Sequence, residues 1–370
     1  MNPFRYGQVV GADEFCPRPG LVKQLTRFMA SGQNAVVQGE RRMGKTSLIH
    51  EAARKHKRRR MIYVDLLAIK TVNDLCKRLV TGIASAEHQA GFLERMLKAL
   101  SQLRPVLSLD PTTGEPSVSL DAGIKMRPDS TDGLLELVAE MNRRKPVVVV
   151  LDEFQGVGNL AEREEVLATL RSKIQFQSSI PYVFAGSVRN EMRNIFSDPD
   201  SPFFKSAAAL DVGPIDEPRF VQFLSRRFQK GTRRADDEVI REIIHRADDV
   251  PGDAQELCAC LWEATSPREK ITLDHVGGAL ELIYARESKG YEATLVHLTG
   301  PQLRCLVGLA RFGGEAPHSA DFVKAAGLRT PATVQRALNR LAKLRIVYRH
   351  DRTYRFSNPF FRRWLVWKEY

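Results

Sequence analysis

The spacing of apolar and polar residues in the first 215 positions of the chain alternates between two periods. Short apolar runs rich in β-branched residues predict strands at residues 34–38, 61–66, 147–151, 182–185 and 210–212. Apolar residues three and four positions apart predict helices at residues 21–29, 46–57, 72–83, 92–103, 133–142, 163–174 and 188–196. Strands that alternate with helices form a parallel sheet with helices on both faces, so we predict an α/β fold.

Residues 106–123 interrupt this alternation. Apolar and polar residues alternate there on both sides of a turn signal formed by Asp110, Pro111 and Gly114. A period of two residues around such a turn predicts a hairpin-like insert.

Helical spacing replaces the strands from Pro218 onward. Helices at residues 219–228, 236–247, 254–264 and 273–286 predict a helical lid. Three short helices at 303–309, 322–326 and 334–344, followed by strands at 346–348 and 354–356, predict a winged helix whose third helix begins with Thr330 as N-cap and Pro331 at the first position. We therefore predict three domains, at residues 1–215, 216–298 and 299–370.

The strongest chemical signal follows the first predicted strand. The sequence GERRMGKT matches the pattern G-x-x-x-x-G-K-[ST] between a strand and a helix, which is typical of a P-loop NTPase. Backbone N–H groups at such a helix start favour phosphate, Lys45 would reach the β and γ phosphates, and the Thr46 hydroxyl would bind Mg²⁺. The predicted nucleotide-binding residues are Gly39, Glu40, Arg41, Arg42, Met43, Gly44, Lys45, Thr46 and Ser47.

Two acidic residues end the most apolar predicted strand. Asp152 and Glu153 follow a run of β-branched residues, which is how a central parallel strand delivers carboxylates to the carboxyl edge of its sheet. We expect Asp152 to hold Mg²⁺ through its water shell and Glu153 to polarise the water that attacks the γ-phosphate. The alternative is a pair of acids that only cap the strand.

The next strand ends at a small polar residue. Ser187 would lie beside the γ-phosphate as a sensor of hydrolysis, although it could instead cap the helix that follows. Arg189 and Lys205 could stabilise transition-state charge, from the same chain or from a neighbouring subunit, or be surface cations.

Composition limits the class of protein. The chain has 370 residues, and no apolar run approaches the roughly 20 residues of a membrane helix. The five scattered cysteines lack zinc spacing and favour the reducing cytoplasm, with Cys258 and Cys260 only a weak hint of metal binding. The amino-terminal residues resemble neither a signal peptide nor a transit peptide.

Positive charge is concentrated in the predicted winged helix. Residues 299–370 contain fourteen Lys or Arg and four Asp or Glu, so they carry ten of the twelve net positive charges. Such a module could bind duplex DNA or an acidic protein partner, or dock within the chain. The predicted DNA contacts are Arg336, Arg340, Lys343, Arg349 and Arg352. The basic run at residues 54–60 is better explained by the helix end that it closes.

These motifs resemble the archaeal-type ATPases, a family within the AAA+ and STAND branch of P-loop proteins that is distantly similar to the replication initiators. The resemblance covers nearly the whole chain and rests on NPF at residues 2–4, Arg18, GERRMGKTSL, VVLDEFQ, AGSVRNEM with SPF at residues 201–203, and NPFFRRWL at residues 358–365. It implies ATP and Mg²⁺ as ligands and an adenine pocket lined near Pro3, Phe4 and Arg18. It also implies that the closing NPFFRRWL segment packs against another domain.

Two positions depart from the pattern of these relatives. The segment PGDAQEL, residues 251–257, resembles the lid signature, but Gln255 stands where the initiators have a sensor arginine. Lys205 stands where relatives commonly have an arginine, and lysine offers charge without a bidentate fork. Both differences favour slow hydrolysis.

The sequence thus supports three hypotheses. The first is an ATPase with low turnover that acts as a nucleotide-dependent switch coupled to the basic winged helix. The second is a DNA-binding regulator in which ATP is secondary or structural, and the third is a scaffold that holds inert nucleotide. Assembly into a homo-oligomer is compatible with all three.

Overall fold

The structure of the protein, a computed structural model, describes residues 1–87, 105–109, 116–120, 126–187, 189–350 and 352–370. For residues 105–109, 116–120, 189 and 190 it describes the backbone. The chain forms two compact units. We call Val9–Gly213 the sheet unit, and Met1–Gln8 together with Pro214–Tyr370 the helical unit.

The sheet unit is built on a five-stranded parallel sheet with the strand order β2-β5-β6-β1-β7. Its strands are β1 Ala35–Gln38, β2 Arg60–Asp65, β5 Val147–Asp152, β6 Tyr182–Gly186 and β7 Ala208–Asp211, and β3 Pro105–Leu109 pairs with β4 Pro116–Leu120 as an antiparallel hairpin. Its helices are α1 Pro19–Ser31, α2 Lys45–Lys55, α3 Val72–Ala86, α4 Ser130–Arg144, α5 Arg163–Ile174 and α6 Arg189–Phe196. The predicted α/β fold class is confirmed.

Strand β5 lies in the interior of the sheet and is buried along its whole length. All six of its residues are buried, and it pairs with β2 on one side and β6 on the other. A strand covered on both faces by helices needs apolar side chains at every position, which the run of four valines provides. The strand therefore carries the carboxylate at its end into a buried edge of the sheet.

The predicted insert is a hairpin in its backbone. β3 and β4 pair in antiparallel register from Pro105 opposite Leu120 to Leu109 opposite Pro116. The turn residues Asp110, Pro111 and Gly114, and the helix predicted at residues 92–103, lie outside the described residues.

The helical unit contains the predicted lid and winged helix. Its helices are α7 Glu217–Lys230, α8 Asp237–Arg246, α9 Pro251–Ala264, α10 Leu273–Val296, α11 Gly300–Phe312, α12 Ala320–Ala325, α13 Pro331–Lys343 and α14 Pro359–Trp367. Its strands are β8 Arg234–Ala235, β9 Lys270–Ile271, β10 Val347–His350 and β11 Thr353–Phe356. The division into three domains stays a prediction, since the lid and the winged helix fall within one compact unit.

Two details of the lid differ from the sequence prediction. The expectation that strands stop at Pro218 was wrong, because β8 and β9 form a short parallel pair. Each has only two residues, too few for a period of two to be visible. Helix α10 also continues ten residues beyond the predicted end at Arg286, to Val296.

The amino-terminal segment, Met1–Gln8, packs within the helical unit. Phe4 is buried, with its ring centroid 4.6 Å from that of Phe228. The Arg227 guanidinium donates a hydrogen bond to the Pro3 carbonyl oxygen at 2.9 Å. The first residues of the chain therefore complete a core whose other parts lie more than two hundred residues later.

The winged helix has the predicted order of elements. Thr330 caps α13 by accepting a hydrogen bond from the Thr333 N–H, and Pro331 occupies the first position. Strands β10 and β11 form the wing, with Val347 opposite Phe356. The apolar face of α13 is buried as its spacing predicts.

A helix not predicted from the sequence, α14, closes the chain. Trp364 on this helix is fully buried and contacts the ring of Tyr291 on α10, with centroids 5.3 Å apart. The Asn358 side-chain oxygen caps α14 by accepting hydrogen bonds from the Phe360 and Phe361 N–H groups at 2.8 and 3.1 Å. The NPFFRRWL segment is thus a packing element of the helical unit.

Replacing Asn358 by alanine should lower the free energy of unfolding of the helical unit by about 1 kcal/mol, because two N–H groups of α14 lose their acceptor. Urea unfolding followed by circular dichroism measures the effect. The Asn358→Asp control keeps an acceptor at the same position and should retain most of the stability. Equal destabilisation by both substitutions would assign the effect to the hydrogen bond that the Asn358 amide donates to the Tyr291 hydroxyl, and not to the cap.

Candidate functional site

The glycine loop between β1 and α2 has the strained geometry of a phosphate cradle. Gly44, just before α2, has a left-handed backbone with φ of 86°, and Arg42 has φ of 63°. A side chain at Gly39 would place its Cβ 2.3 Å from the Val212 carbonyl oxygen. Glycine is therefore required at Gly39 by close packing and is favoured at Gly44 by backbone conformation.

Lys45 lies inside this loop. Its ammonium donates hydrogen bonds to the carbonyl oxygens of Gly39 at 2.9 Å and Glu40 at 3.0 Å, and the residue is only 6% exposed. Burial lowers the pKa of Lys45, while the nearby carboxylates of Glu153 and Asp152 act in the opposite direction. The loop thus holds a positive charge that faces the two acids at the end of β5.

The carboxylate of Asp152 is buried and accepts three hydrogen bonds. Its Oδ2 accepts from the Thr46 hydroxyl and from the Tyr63 hydroxyl, each at 2.7 Å, and its Oδ1 accepts from the Glu153 N–H at 2.9 Å. Burial and the adjacent Asp152 raise the pKa of Tyr63, so its hydroxyl remains a donor. The predicted metal-binding pair, Thr46 and Asp152, is thereby brought into direct contact.

Glu153 has a left-handed backbone, with φ of 50°, where the strand turns into a short 3-10 helix. Its Oε2 accepts a hydrogen bond from the Ser187 hydroxyl at 2.8 Å and a short one from the Gln155 side-chain amide. Ser187 is buried at the end of β6. The structure therefore brings Glu153 and Ser187 together at the carboxyl edge of the sheet, beside Asp152 and Lys45.

The other predicted loop residues differ in their surroundings. Arg41 is exposed, Met43 is buried, and the Ser47 hydroxyl accepts a hydrogen bond from the Val10 N–H at 3.3 Å. The buried guanidinium of Arg18 donates to the carbonyl oxygens of Met43 at 2.9 Å and Gly213 at 2.6 Å, and burial lowers the pKa of Arg18 to about 10. Arg18 therefore supports the loop backbone from behind.

The implied adenine-lining residues occupy both units. Arg18 lies in the sheet unit, whereas Pro3 and Phe4 belong to the helical unit, where Phe4 is a core residue. Gln255 lies in the first turns of α9, which begins at Pro251. The roles that the resemblance implies for these residues stay predictions.

The structure describes the side chain of only one of the two candidate transition-state cations, Arg189 and Lys205. The side chain of Arg189 lies outside the described part of the chain. Lys205 is exposed, and its ammonium lies 5.0 Å from the centroid of the Phe204 ring. Two residues before it, Phe203 is buried among Phe154, Phe184 and Phe196. The structure leaves the catalytic role of both residues a prediction.

Most cations of the basic run at residues 54–60 have structural partners. Arg54 and Lys55 pair with Glu51 on α2, and Arg60 pairs with Glu87. The Arg59 guanidinium donates to the carbonyl oxygens of Val147 and Ser179. These contacts favour the interpretation of the run as a helix end.

The predicted DNA contacts share one property. Arg336, Arg340 and Lys343 on α13, and Arg349 and Arg352 on the wing, are all exposed. Arg349 and Arg352 also line a cavity of about 210 Å³ together with His318 and Tyr354.

Sequence reasoning missed two residues of the site, Tyr63 and Gln155. Gln155 lies in the VVLDEFQ motif, whose two acids carry the predicted chemistry. Tyr63 precedes Asp65 by two residues, and Asp65 stands opposite Asp152 in the register of β2 and β5. Alternation along β2 places Tyr63 and Asp65 on one face, which was the available signal.

Comparison with known families identifies two domains. Residues 29–194 match the AAA domain family, and residues 289–367 match a family described as a probable winged helix domain. No curated protein sequence matches this chain. The chain therefore contains an AAA-type P-loop ATPase domain joined to a carboxyl-terminal winged helix domain, as the resemblance implied.

Solved structures of the same fold cover nearly the whole chain. A Walker-type ATPase of Pyrococcus abyssi has a TM-score of 0.69 and 19% identity, with 98% of this chain and 99% of that chain covered. The ORC1 protein of Aeropyrum pernix, solved in complex with DNA, has a TM-score of 0.53 and 16% identity, with 96% and 94% covered. Identities this low establish the fold alone. In the described residues, no helix is long and apolar enough to span a membrane.

Proposed function

We propose that this protein binds ATP with Mg²⁺ in the sheet unit, hydrolyses it slowly, and acts as a nucleotide-dependent switch coupled to its winged helix. The observation that carries the proposal is the convergence of five residues at one edge of the sheet. Hydrogen bonds join Thr46 to Asp152 and Ser187 to Glu153. The Lys45 ammonium lies close enough to both acids to interact with them electrostatically. Each of these side chains suits one requirement of phosphoryl transfer.

The loop supplies positive charge to the triphosphate. Backbone N–H groups at the start of α2 would bind phosphate oxygens, and the Lys45 ammonium would reach the β and γ phosphates. Because Asp152 and Glu153 lie close enough to influence Lys45 electrostatically, the ammonium also offsets their repulsion of the phosphates.

Thr46 and Asp152 fit a magnesium site, since both offer oxygen atoms and lie in direct contact. Mg²⁺, when bound, supplies positive charge to the β and γ phosphate oxygens. Among the described residues, no group of three or more His, Cys, Asp or Glu could hold a metal ion. A site with few protein ligands is typical of Mg²⁺, which keeps several of its waters and binds substrate phosphates.

Glu153 would act as the general base. It would take a proton from water as the water oxygen bonds to the γ-phosphorus and the bond to the bridging β–γ oxygen breaks, leaving ADP and phosphate. The Ser187 hydroxyl and the Gln155 amide would hold the carboxylate in place, and Ser187 would also respond to the γ-phosphate.

Two features support slow turnover. Gln255 and Lys205 replace arginines that the resemblance associates with lid coupling and transition-state charge. A slowly hydrolysed nucleotide suits a switch that holds one conformation for a long time.

Phosphate release over many turnovers tests this function. We expect slow, Mg²⁺-dependent release by the intact protein, measured with and without duplex DNA. Release beyond one phosphate per chain would exclude the scaffold with inert nucleotide. Absence of ATP binding at any Mg²⁺ concentration would exclude the proposal itself.

A second candidate function is DNA binding in which ATP is secondary or structural. The exposed cations of α13 and the wing support it, because a winged helix can place its third helix in the major groove with wing cations near phosphates. A protein of similar fold, ORC1 of Aeropyrum pernix, was solved with DNA.

Replacing both Arg336 and Arg340 by alanine should weaken duplex binding by about 30-fold or more at low salt, since each base-facing arginine contributes about 1–3 kcal/mol and the pair therefore contributes at least about 2 kcal/mol. Fluorescence anisotropy across a salt series measures the affinity and its slope. The control replaces Arg219 and Arg226, two exposed arginines of α7, and should leave binding unchanged. Failure of the wild-type protein to bind duplex at low salt would eliminate this function.

A further inference from the structure

The phenol of Tyr63 is part of the carboxylate environment that the proposed ATPase would use. The Asp152 Oδ2 atom accepts two hydrogen bonds of equal length, 2.7 Å, from the hydroxyls of Thr46 and Tyr63. Thr46 belongs to the phosphate loop, whereas Tyr63 belongs neither to that loop nor to the acidic motif of Asp152 and Glu153. We infer that Tyr63 is a positioning residue, which fixes the Asp152 carboxylate and thereby sets how strongly nucleotide binding depends on Mg²⁺.

The fold brings the phenol to this carboxylate from the neighbouring strand. In the parallel register of β2 and β5, Tyr63 stands opposite Val150, and Asp65 stands opposite Asp152. Tyr63 therefore lies two positions back from the sheet edge, and its long side chain spans that distance to reach Oδ2. A shorter hydroxyl residue at this position could not make the same contact.

Helix α2 contacts both the Asp152 carboxylate and the Tyr63 ring. Thr46 and His50 are four residues apart and so share one face of the helix. Thr46 contacts Asp152, while the His50 ring packs on Tyr63 with centroids 5.2 Å apart and planes inclined by 51°. The helix that follows the phosphate loop, the edge strand β2 and its neighbour β5 are thus joined around a single carboxylate.

Burial explains why a fixed donor matters at this place. Asp152 is only 3% exposed, and a buried carboxylate needs hydrogen-bond donors. Without the phenol, Oδ2 would retain one side-chain donor, and the carboxylate could rotate away from the orientation that suits Mg²⁺ and its water ligands. The inference rests on the proposed ATP site, because Asp152 matters for Mg²⁺ only if nucleotide binds there.

The test compares Tyr63→Phe with the wild-type protein in Mg²⁺ titrations of a fluorescent ATP analogue. We expect the Mg²⁺ concentration for half-maximal binding to rise about tenfold, the typical effect of one hydrogen bond to a charged group. Nucleotide affinity in excess EDTA should stay unchanged, since the phenol acts only through the metal-binding carboxylate.

Tyr182→Phe provides the matched control. It removes a buried tyrosine hydroxyl from β6 of the same sheet, where the partner is Gln177 and not a site residue. It should leave the Mg²⁺ dependence as in wild type, and thermal unfolding of both variants reports any general loss of stability.

The outcomes are distinguishable. A wild-type Mg²⁺ dependence in folded Tyr63→Phe would reduce Tyr63 to a packing residue and overturn the inference. An equal shift in both variants would also overturn it, because the effect would then come from the sheet as a whole. If the wild-type protein binds no nucleotide at any Mg²⁺ concentration, the proposed function fails instead.

Discussion

Lys45→Ala is expected to lower ATP affinity by about 100-fold or more. Removing one partner from a buried, hydrogen-bonded charge pair costs about 3 kcal/mol, and each 1.4 kcal/mol is about tenfold in affinity. The loss should be large here because the carboxylates of Asp152 and Glu153 would then face the triphosphate without a compensating cation. Isothermal titration calorimetry with Mg²⁺ and ATP measures the change.

Lys45→Ala is expected to keep the fold, and Lys57→Ala controls for the loss of one positive charge. Lys45 is a buried charge whose pKa is lowered by burial, so alanine removes an unfavourable desolvation cost from the protein without ATP. The exposed Lys57, beyond the end of α2, gives the same charge change in Lys57→Ala and should leave affinity unchanged. Undiminished affinity in folded Lys45→Ala would rule out the phosphate site.

Glu153→Gln is expected to retain ATP binding within about threefold and to lose turnover by about 100-fold or more, the lower range for a general base. The amide keeps the size of the side chain and one acceptor for the Ser187 hydroxyl, but it cannot take a proton from water. Steady-state phosphate release gives the turnover, and calorimetry gives the affinity of the same preparation.

The control for this substitution is Glu51→Gln. Glu51 is a buried glutamate on α2 that pairs with Arg54 and does not contact the site residues at the sheet edge. Its neutralisation should leave phosphate release near the wild-type rate. Equal release by Glu153→Gln and wild type would remove Glu153 from the mechanism.

The sequence predicted those parts of the site that are contiguous in the chain. The phosphate loop lies within eight residues, and the acids follow directly on a strand that is apolar at every position. Neither prediction requires the strand order to be known, because each motif places its residues at the carboxyl edge of any parallel sheet. The winged helix was predictable for a similar reason, since the Thr330 cap and the apolar face of α13 are local.

Contacts that depend on register could not be predicted. Tyr63 reaches Asp152 only because β2 pairs with β5. In that pairing Tyr63 stands opposite Val150, which lies 87 residues later in the chain. Gln155 donates to Glu153 at a turn where the backbone of Glu153 is left-handed, a conformation with no sequence signature in a glutamate. The packing of Phe4 on Phe228 likewise depends on the fold of two distant segments.

The placement of Met1–Gln8 affects the order in which the protein can be built. Because Val9–Gly213 is continuous in the chain, the ribosome delivers that unit whole before α7 has been synthesised. Phe4 cannot pack on Phe228 until Phe228 has left the ribosome. The helical unit can therefore close only late in translation, after the ATP-binding unit has had the opportunity to fold.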